Sequence, residues 1–431
     1  MIVPPLPSGA LDEAVDRTNT NSRKMKGKGK AYEGCVPLWI ADMDFRSPQP
    51  IVDALVARAS NGVYGYTDCP PELETLVCDR LKTVYGSTIT PDPKWFRWLP
   101  GLIPGLNHAV RAACAGANDA VAIPTPVYAP FLDAPSNHGK SLLTVPLEQL
   151  TSEGQSSEGL YFTVDWAALE AALASKNTKL LHWCNPHNPT GRVWTRRELV
   201  RVARLCVEHD VRLCSDEVWG ELPLEPDAHA FCSMLSLLPA DDKAGSAADD
   251  DDLSDPEATA GIAGLKERLI ILTSPSKCFN VAPLDIALAV IPNEELRGRF
   301  VALGADAAEV TCFGYSAACA AYGDPESEAW RQRLVTYLAA NRDYAAERLG
   351  AMGIRCTRPE ASYLMWMDCS NVLPEGSNAQ EFFLKEAKVA FTGGVAFGGG
   401  ARTCRLNFGC KRETLEEGLN RMAAAIAALD V

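Results

Sequence analysis

Three side chains, far apart in the sequence, stand at the ends of apolar runs where a polar group has to be explained. Lys277 lies in ILTSPSKCFN (271–280), where a short apolar strand runs into Ser274, Pro275 and Ser276. An amine there is costly unless it is paired or converted to something less charged. A Schiff base with an aldehyde cofactor is one such conversion. The plainer alternatives are a lysine that reaches the surface, or one paired with a carboxylate. Asp216, in LCSDEVWGEL (213–222), also ends an apolar run. A carboxylate at that place needs a positive partner, which a protonated pyridine nitrogen supplies, or else it caps a helix. Asn188 sits in HWCNPHNPTGRVWTRREL (182–199), where two Asn-Pro pairs and Gly191 make a rigid turn. The turn is a well-built loop in its own right, but its position after a strand leaves the Asn188 amide able to donate to a ring oxygen.

The elements that must hold these residues follow from periodicity. From Pro48 onward, helical patterns (PQPIVDALVARA, PPELETLVCDRLKTVYG, TRRELVRVARLCVEHD) alternate with short apolar runs (AVAIP, TKLLHWC, VRLCSDE, LIILTS). This predicts an α/β domain with a mainly parallel sheet, whose ligand sites cluster where strands end and loops begin. The Thr195–Glu198 spacing predicts a capping box at the start of one helix. After about residue 312 the pattern changes to helices (YSAACAAY, ESEAWRQRLVTYLAANRDYAAERLGAMG) followed by strand-like ASYLMWMD, KVAFTGG and RTCRLNFGC around a helix, EFFLKEA. The expected organisation is an N-terminal arm at 1–45, which joins the smaller domain, a large domain at 46–311 and a smaller α+β domain at 312–431. Residues 1–35, with NSRKMKGKGK, read as a solvated arm, and the acidic stretch 240–262 as a flexible surface insertion.

Composition narrows the function classes. The 431 residues are 47% hydrophobic and 22% charged, ordinary for a soluble globular chain, and the formal net charge of −14 argues against a nucleic-acid partner. The 15 cysteines are scattered singly through apolar runs without a CxxC pair, so no metal site is expected and the thiols read as reduced. The N-terminus lacks the basic and apolar regions of a secretory signal, and no run approaches a membrane span. A cytoplasmic enzyme with no membrane partner is the expectation.

Taken in order, Asn188-Pro189-Thr190-Gly191, Asp216, Ser274-x-Ser276-Lys277 and Arg405 in RLNFG resemble the class I/II aminotransferase superfamily. These are fold type I enzymes, with a seven-stranded, mainly parallel sheet in the large domain, that use pyridoxal 5′-phosphate. WIADMDF (39–45), VYGYT (63–67) and SPSK-x-FN narrow the resemblance to the cystathionine β-lyase-like C–S lyases. The resemblance implies that Lys277 bonds the cofactor and, once freed, removes the substrate's Cα proton. Asp216 would keep the pyridine nitrogen protonated, Asn188 would bond the ring oxygen and contribute to the substrate site, and Tyr128 would stack on the ring. The amides of Leu102 and Ile103 at a helix start, with the hydroxyls of Ser274 and Ser276, would cradle the phosphate. Tyr66 would reach the phosphate from a partner subunit, implying a homodimer with shared sites. Arg405 would grip the substrate α-carboxylate, with Ala41 beside it. The implied activity is α,β-elimination from L-cystathionine, cysteine or an S-substituted cysteine. An aminotransferase working on the same lysine, and a non-catalytic protein on the same fold, are the alternatives.

Four positions depart from that pattern. Asp285 stands where most aminotransferases of this fold carry a phosphate-binding arginine, and a carboxylate facing a phosphate would repel it. Trp219 stands where a Tyr or His usually serves the ring oxygen, and an indole N–H donates but neither accepts nor titrates. Cys278 replaces a usual Thr or Ser, and Gly393 a frequent Pro.

Overall fold

Four runs of five to seven residues, buried almost throughout, build the centre of the molecule. The computed structural model describes residues 11, 15–17, 19–87, 89–151, 159–239 and 261–429. Seven strands form its main sheet: β1 (Phe96–Leu99), β2 (Ala120–Thr125), β3 (Ser141–Pro146), β4 (Thr178–Cys184), β5 (Arg212–Asp216), β6 (Leu269–Thr273) and β7 (Ala287–Val290). Their order is β1-β7-β6-β5-β4-β2-β3. All neighbours from β6 to β3 run parallel, and β7 runs antiparallel to both β6 and β1. Every residue of β2, β6 and β7 is buried. Near-continuous apolar strands are what a sheet covered on both faces requires. The alternation of helices and apolar runs thus yields the α/β fold it predicts.

Parallel strands bring their carboxyl ends to one edge. The register sets Cys184 beside Asp216, and Asp216 beside Leu272. The loops that begin at Asn185, Glu217 and Ser274 therefore leave the sheet side by side, and the turn after β2 carries Tyr128.

A second sheet lies later in the chain: β8 (Arg355–Cys356), β9 (Leu364–Asp368), β10 (Thr392–Gly393) and β11 (Thr403–Asn407), ordered β8-β9-β11-β10 and wholly antiparallel. The long helix Pro325–Ala351 and the final helix Arg412–Ala427 pack in the same apolar cluster as this sheet. The N-terminal segment joins them, since Val36–Pro37 pairs in parallel with Val389–Ala390. The capping box at Thr195 is present, with Glu198 N–H donating to the Thr195 hydroxyl at 3.3 Å and Thr195 N–H to Glu198 at 2.7 Å. Among the described residues no helix is long and apolar enough to cross a membrane. The acidic stretch 240–262 lies outside the described residues, except for Gly261 and Ile262.

Candidate active site

Lys277 sits in the turn after β6, and its Nζ donates to the Ala41 carbonyl at 3.0 Å. The Trp219 ring lies near it, with Nζ 5.7 Å from the ring centroid. The residue is half-buried. Burial of the ammonium, with repulsion from Arg405, pushes it down to about 8 against the attraction of Asp42 and Asp216. An amine held there is neutral about a tenth of the time at pH 7, far more often than an ordinary lysine, as suits a proton acceptor.

Asp216 is buried at the last position of β5. It caps no helix. One carboxylate oxygen accepts from the Val218 N–H at 3.2 Å, and burial pushes the group up to about 6 against that bond and the pull of Lys277. A carboxylate kept in such a place asks for a cationic or N–H partner.

Arg405, on β11 between β9 and β10, is the most exacting residue of the cluster. It is 4% exposed and makes no ion pair among the described residues. Its guanidinium donates to the Asn188 side-chain oxygen and to the Trp39 carbonyl, both at 3.1 Å, and lies 4.8 Å from the centroid of the Phe397 ring. Its Nε is buried without a partner. Burial pushes it down to about 10. A buried guanidinium with an unused donor and no anion fits a carboxylate ligand. Because Asn188 spends its amide oxygen on Arg405, its NH2 is the end left to donate. The Asn188 carbonyl also accepts from the Tyr128 N–H at 3.1 Å, so Tyr128, Asn188 and Arg405 are linked in one chain of bonds.

The turn that carries Asn188 depends on Gly191. Its φ is +74°, and a Cβ there would come within 2.5 Å of the Pro359 Cβ and 2.8 Å of its Cα. The Gly191 carbonyl accepts from the N–H groups of Glu360 and Ala361, which fastens the turn to the segment leading into β9.

The helix Leu102–Ala113 begins with no side-chain cap, after Gly101 at φ +118°. Its first N–H groups, on Leu102 and Ile103, are therefore open to an anion. Gly105, one turn in, packs on Leu272 of β6, which places the helix start over the strand that delivers Lys277. Ser276 makes no side-chain hydrogen bond among the described residues. Ser274 is buried and gives its hydroxyl hydrogen to the Ile286 carbonyl at 2.6 Å, while accepting from the Ser276 N–H at 3.0 Å. Tyr66 is fully exposed, and this chain does not bring it to the cluster. Of the departures, Asp285 is exposed in left-handed backbone (φ 51°). Trp219 is buried, with its ring edge-on to Tyr363 at 4.9 Å. Cys278 is buried, and Gly393 lies where a Cβ would meet Gln380 at 2.5 Å.

Several parts of the cluster were not legible in the sequence. The segment Trp39–Phe45 is held by two asparagines, each within three residues of a site side chain. Asn280 donates to the Met43 and Phe45 carbonyls at 3.0 and 2.9 Å and accepts from the Met43 N–H, and Asn407 donates to the Asp42 carbonyl at 2.8 Å. Most described residues of 1–35 are exposed, as a solvated arm requires, but two of its cations are docked against the Trp39–Phe45 segment. Lys24 is 1% exposed and bonds Asp44 at 3.0 Å, and Arg17 bonds Asp42 and Asp44 at 2.8 and 2.7 Å. These cations neutralise two carboxylates of WIADMDF, and the Trp39 indole fixes the arm by donating to the Lys24 carbonyl at 3.0 Å. The double-acidic spacing of ADMD was the available signal, but nothing local tied it to cations some 20 residues earlier.

Comparison with known proteins agrees with this arrangement. The chain is 32% identical to cystathionine beta-lyase PatB of Bacillus subtilis (strain 168), over 97% of this chain and all of that one. Among solved structures it is similar to OvoB, with a TM-score of 0.82 and 36% identity over 97% of this chain and 99% of that chain. It is also similar to the PLP-bound C–S lyase of Staphylococcus hominis, with a TM-score of 0.81 and 28% identity over 97% and 98% of the two chains. Residues 35–422 match the sequence profile described as aminotransferase class I and II, and with the gathered Lys277, Asp216, Asn188 and Arg405 already in view, the chain belongs to that family.

Proposed function

We propose that this protein is a pyridoxal-phosphate-dependent C–S β-lyase acting on L-cystathionine, cysteine or another S-substituted cysteine. The observation that carries the reading is the pairing of Lys277, an amine pushed down to about 8, with Arg405, a buried cation that has no anion among the described residues. One group suits a base at Cα, and the other suits the carboxylate of an α-amino acid. The kinship with cystathionine β-lyase PatB and a PLP-bound C–S lyase supports the same chemistry.

The residues fit the cofactor. Asp216 supplies the carboxylate for the ring nitrogen, and the Asn188 NH2 is free for the ring oxygen. Tyr128 offers a ring face. The Leu102 and Ile103 N–H groups, with the Ser276 hydroxyl, form the phosphate end, while the Ser274 hydroxyl, whose hydrogen is spent on the Ile286 carbonyl, holds the Ser276 N–H instead. Trp219 adds an indole N–H to the ring-oxygen side. Bound there, pyridoxal phosphate supplies the electron sink that stabilises the pair left on Cα.

This chain's residues do the rest. Arg405 fixes the substrate carboxylate, with Ala41 and the Trp39 carbonyl at its flank. Lys277 Nζ takes the Cα proton. The electron pair then expels the thiolate from Cβ, and water completes the conversion of the remaining three-carbon fragment. In sum, R–S–CH2–CH(NH3+)–COO− and water give R–SH, pyruvate and ammonium. We further propose a homodimer in which Tyr66 completes the phosphate end of the other subunit's site. The large unit at 46–311 and the smaller one at 312–431, with the N-terminal arm, would act as separate domains around the substrate.

Borohydride reduction of the cofactor-loaded protein, followed by peptide mass analysis, tests the assignment. A pyridoxyl group on the Lys277 peptide, absent from Lys277→Ala, supports it. A label on any other lysine contradicts it. The same residues suit an aminotransferase, which would return a proton to the cofactor side and require a keto-acid acceptor. A requirement for that acceptor separates the two.

A further inference from the structure

The Ala41 carbonyl is shared by two side chains that serve no secondary structure. Lys277 Nζ donates to it at 3.0 Å, and the Tyr363 hydroxyl donates to it at 3.0 Å. Tyr363 is 1% exposed, just before β9. Its ring stands edge-on to Trp219 (centroids 4.9 Å apart, planes at 81°), and Trp219 in turn lies beside the Lys277 ammonium at 5.7 Å. Three distant segments, around residues 41, 219 and 363, therefore converge on one amine. Both lone pairs of the carbonyl are in use, so whatever Tyr363 takes from it is withheld from Lys277.

We propose that Tyr363 is a positioning residue for the Lys277 amine: by holding one lone pair of the Ala41 carbonyl, it fixes the carbonyl's direction and limits its grip on the ammonium, so that the amine is poised and ready to accept a proton whenever it is not bonded to the cofactor. The inference rests on Lys277 as the base assigned above. Tyr363 is suited to the task because burial, with the Asp42 carboxylate, pushes its phenol well above the usual range, which keeps it a donor throughout the working range. The other charged groups that act on the amine are Arg405 on β11, Asp216 at the end of β5 and Asp42 in the Trp39–Phe45 segment. Removing the hydroxyl alone leaves all three of these groups in the protein, although Tyr363 also interacts with Asp42 and Arg405. The hydroxyl is a specific requirement at this place, because Phe would fill the same apolar space against Trp219.

The test titrates Lys277 directly in the full-length, cofactor-free protein. Competitive acetylation with acetic anhydride at a series of pH values, read by mass spectrometry on the Lys277 peptide, gives the midpoint at which the amine becomes reactive. In Tyr363→Phe the carbonyl has one donor left, its bond to the ammonium strengthens, and the midpoint rises by about half to one pH unit. Placing 3-fluorotyrosine at position 363 strengthens the competing donor without changing the packing, and moves the midpoint downward. Opposite shifts in the two proteins are the expected result. A general loosening of the site would move both the same way, and that outcome, or an unmoved midpoint in Tyr363→Phe, overturns the proposal. In the loaded enzyme, Tyr363→Phe lowers kcat and leaves KM near its original value, since Tyr363 acts through Lys277. The labelling needs neither cofactor nor substrate. An unmoved midpoint therefore counts against this inference alone, whereas failure of the unaltered protein to release thiol counts against the lyase reading.

Discussion

At the scale of single residues, the site is a set of charges kept in places that disfavour them. Asp216 shows this most clearly, because its pKa is raised from 3.8 to about 6 by burial. The folded chain then binds more protons than the unfolded chain between those values, so stability is lost as pH rises from 3.8 to about 6. Above about 6 the full cost is present. Asp216→Asn is therefore expected to stabilise the cofactor-free protein at pH 7–8 by up to about 3 kcal/mol. The gain should shrink toward zero near pH 4, while activity, on the role proposed for Asp216 at the ring nitrogen, falls sharply. Thermal unfolding of the cofactor-free variant at both pH values checks the sign. A variant less stable than the parent at pH 8 would mean that the carboxylate is a structural group and not a cost borne for the cofactor.

At the scale of elements, the parallel strands deliver the chemistry and the N-terminal segment closes it. The buried strands were legible because a sheet covered on both faces demands unbroken apolar runs such as LIILT and AVAIPT. The strands Phe96–Leu99 and Ser141–Pro146 escaped because one mixes in Arg and Trp and the other is largely exposed, so neither carries the signature of a buried strand. Ala287–Val290, only four residues, is too short to show a period. The side chains at strand ends were legible for a related reason: Lys277 and Asp216 each break an apolar run. Tyr363, Asn280 and Asn407 were not, because their partners on the Trp39–Phe45 segment lie hundreds of residues away. The docking of the arm was hidden in the same way. Lys24 is the element's anchor, and Lys24→Met, which keeps the stem and removes the charge, is expected to cost about 1.5–3 kcal/mol. Because the Trp39 carbonyl that holds Arg405 belongs to the segment that Lys24 steadies, the variant should also raise KM. Urea unfolding and steady-state kinetics on one preparation measure both.

At the scale of the whole molecule, Tyr66 is the residue that a single chain leaves unexplained. It is fully exposed, beside exposed Val63 and Tyr64. Exposed aromatic and apolar side chains clustered in one loop suit a protein partner, and a second copy of this chain is the partner proposed above. Shared sites make a sharp prediction for mixtures. Lys277→Ala and Tyr66→Ala proteins, each poorly active alone, should recover roughly a quarter of wild-type activity when unfolded together and refolded at equal amounts, the share of intact sites under random pairing. No recovery, with mixed dimers present, would place Tyr66 outside the site.

The most direct measurement is incubation of the purified, cofactor-loaded protein with L-cystathionine in the absence of any keto acid, following thiol and pyruvate together. Equal and continuing release of both, abolished in Lys277→Ala, is the result expected of a β-lyase built on Lys277 and Arg405. No pyruvate without a keto acid, and sustained amino exchange once one is added, would contradict it and make this site an aminotransferase.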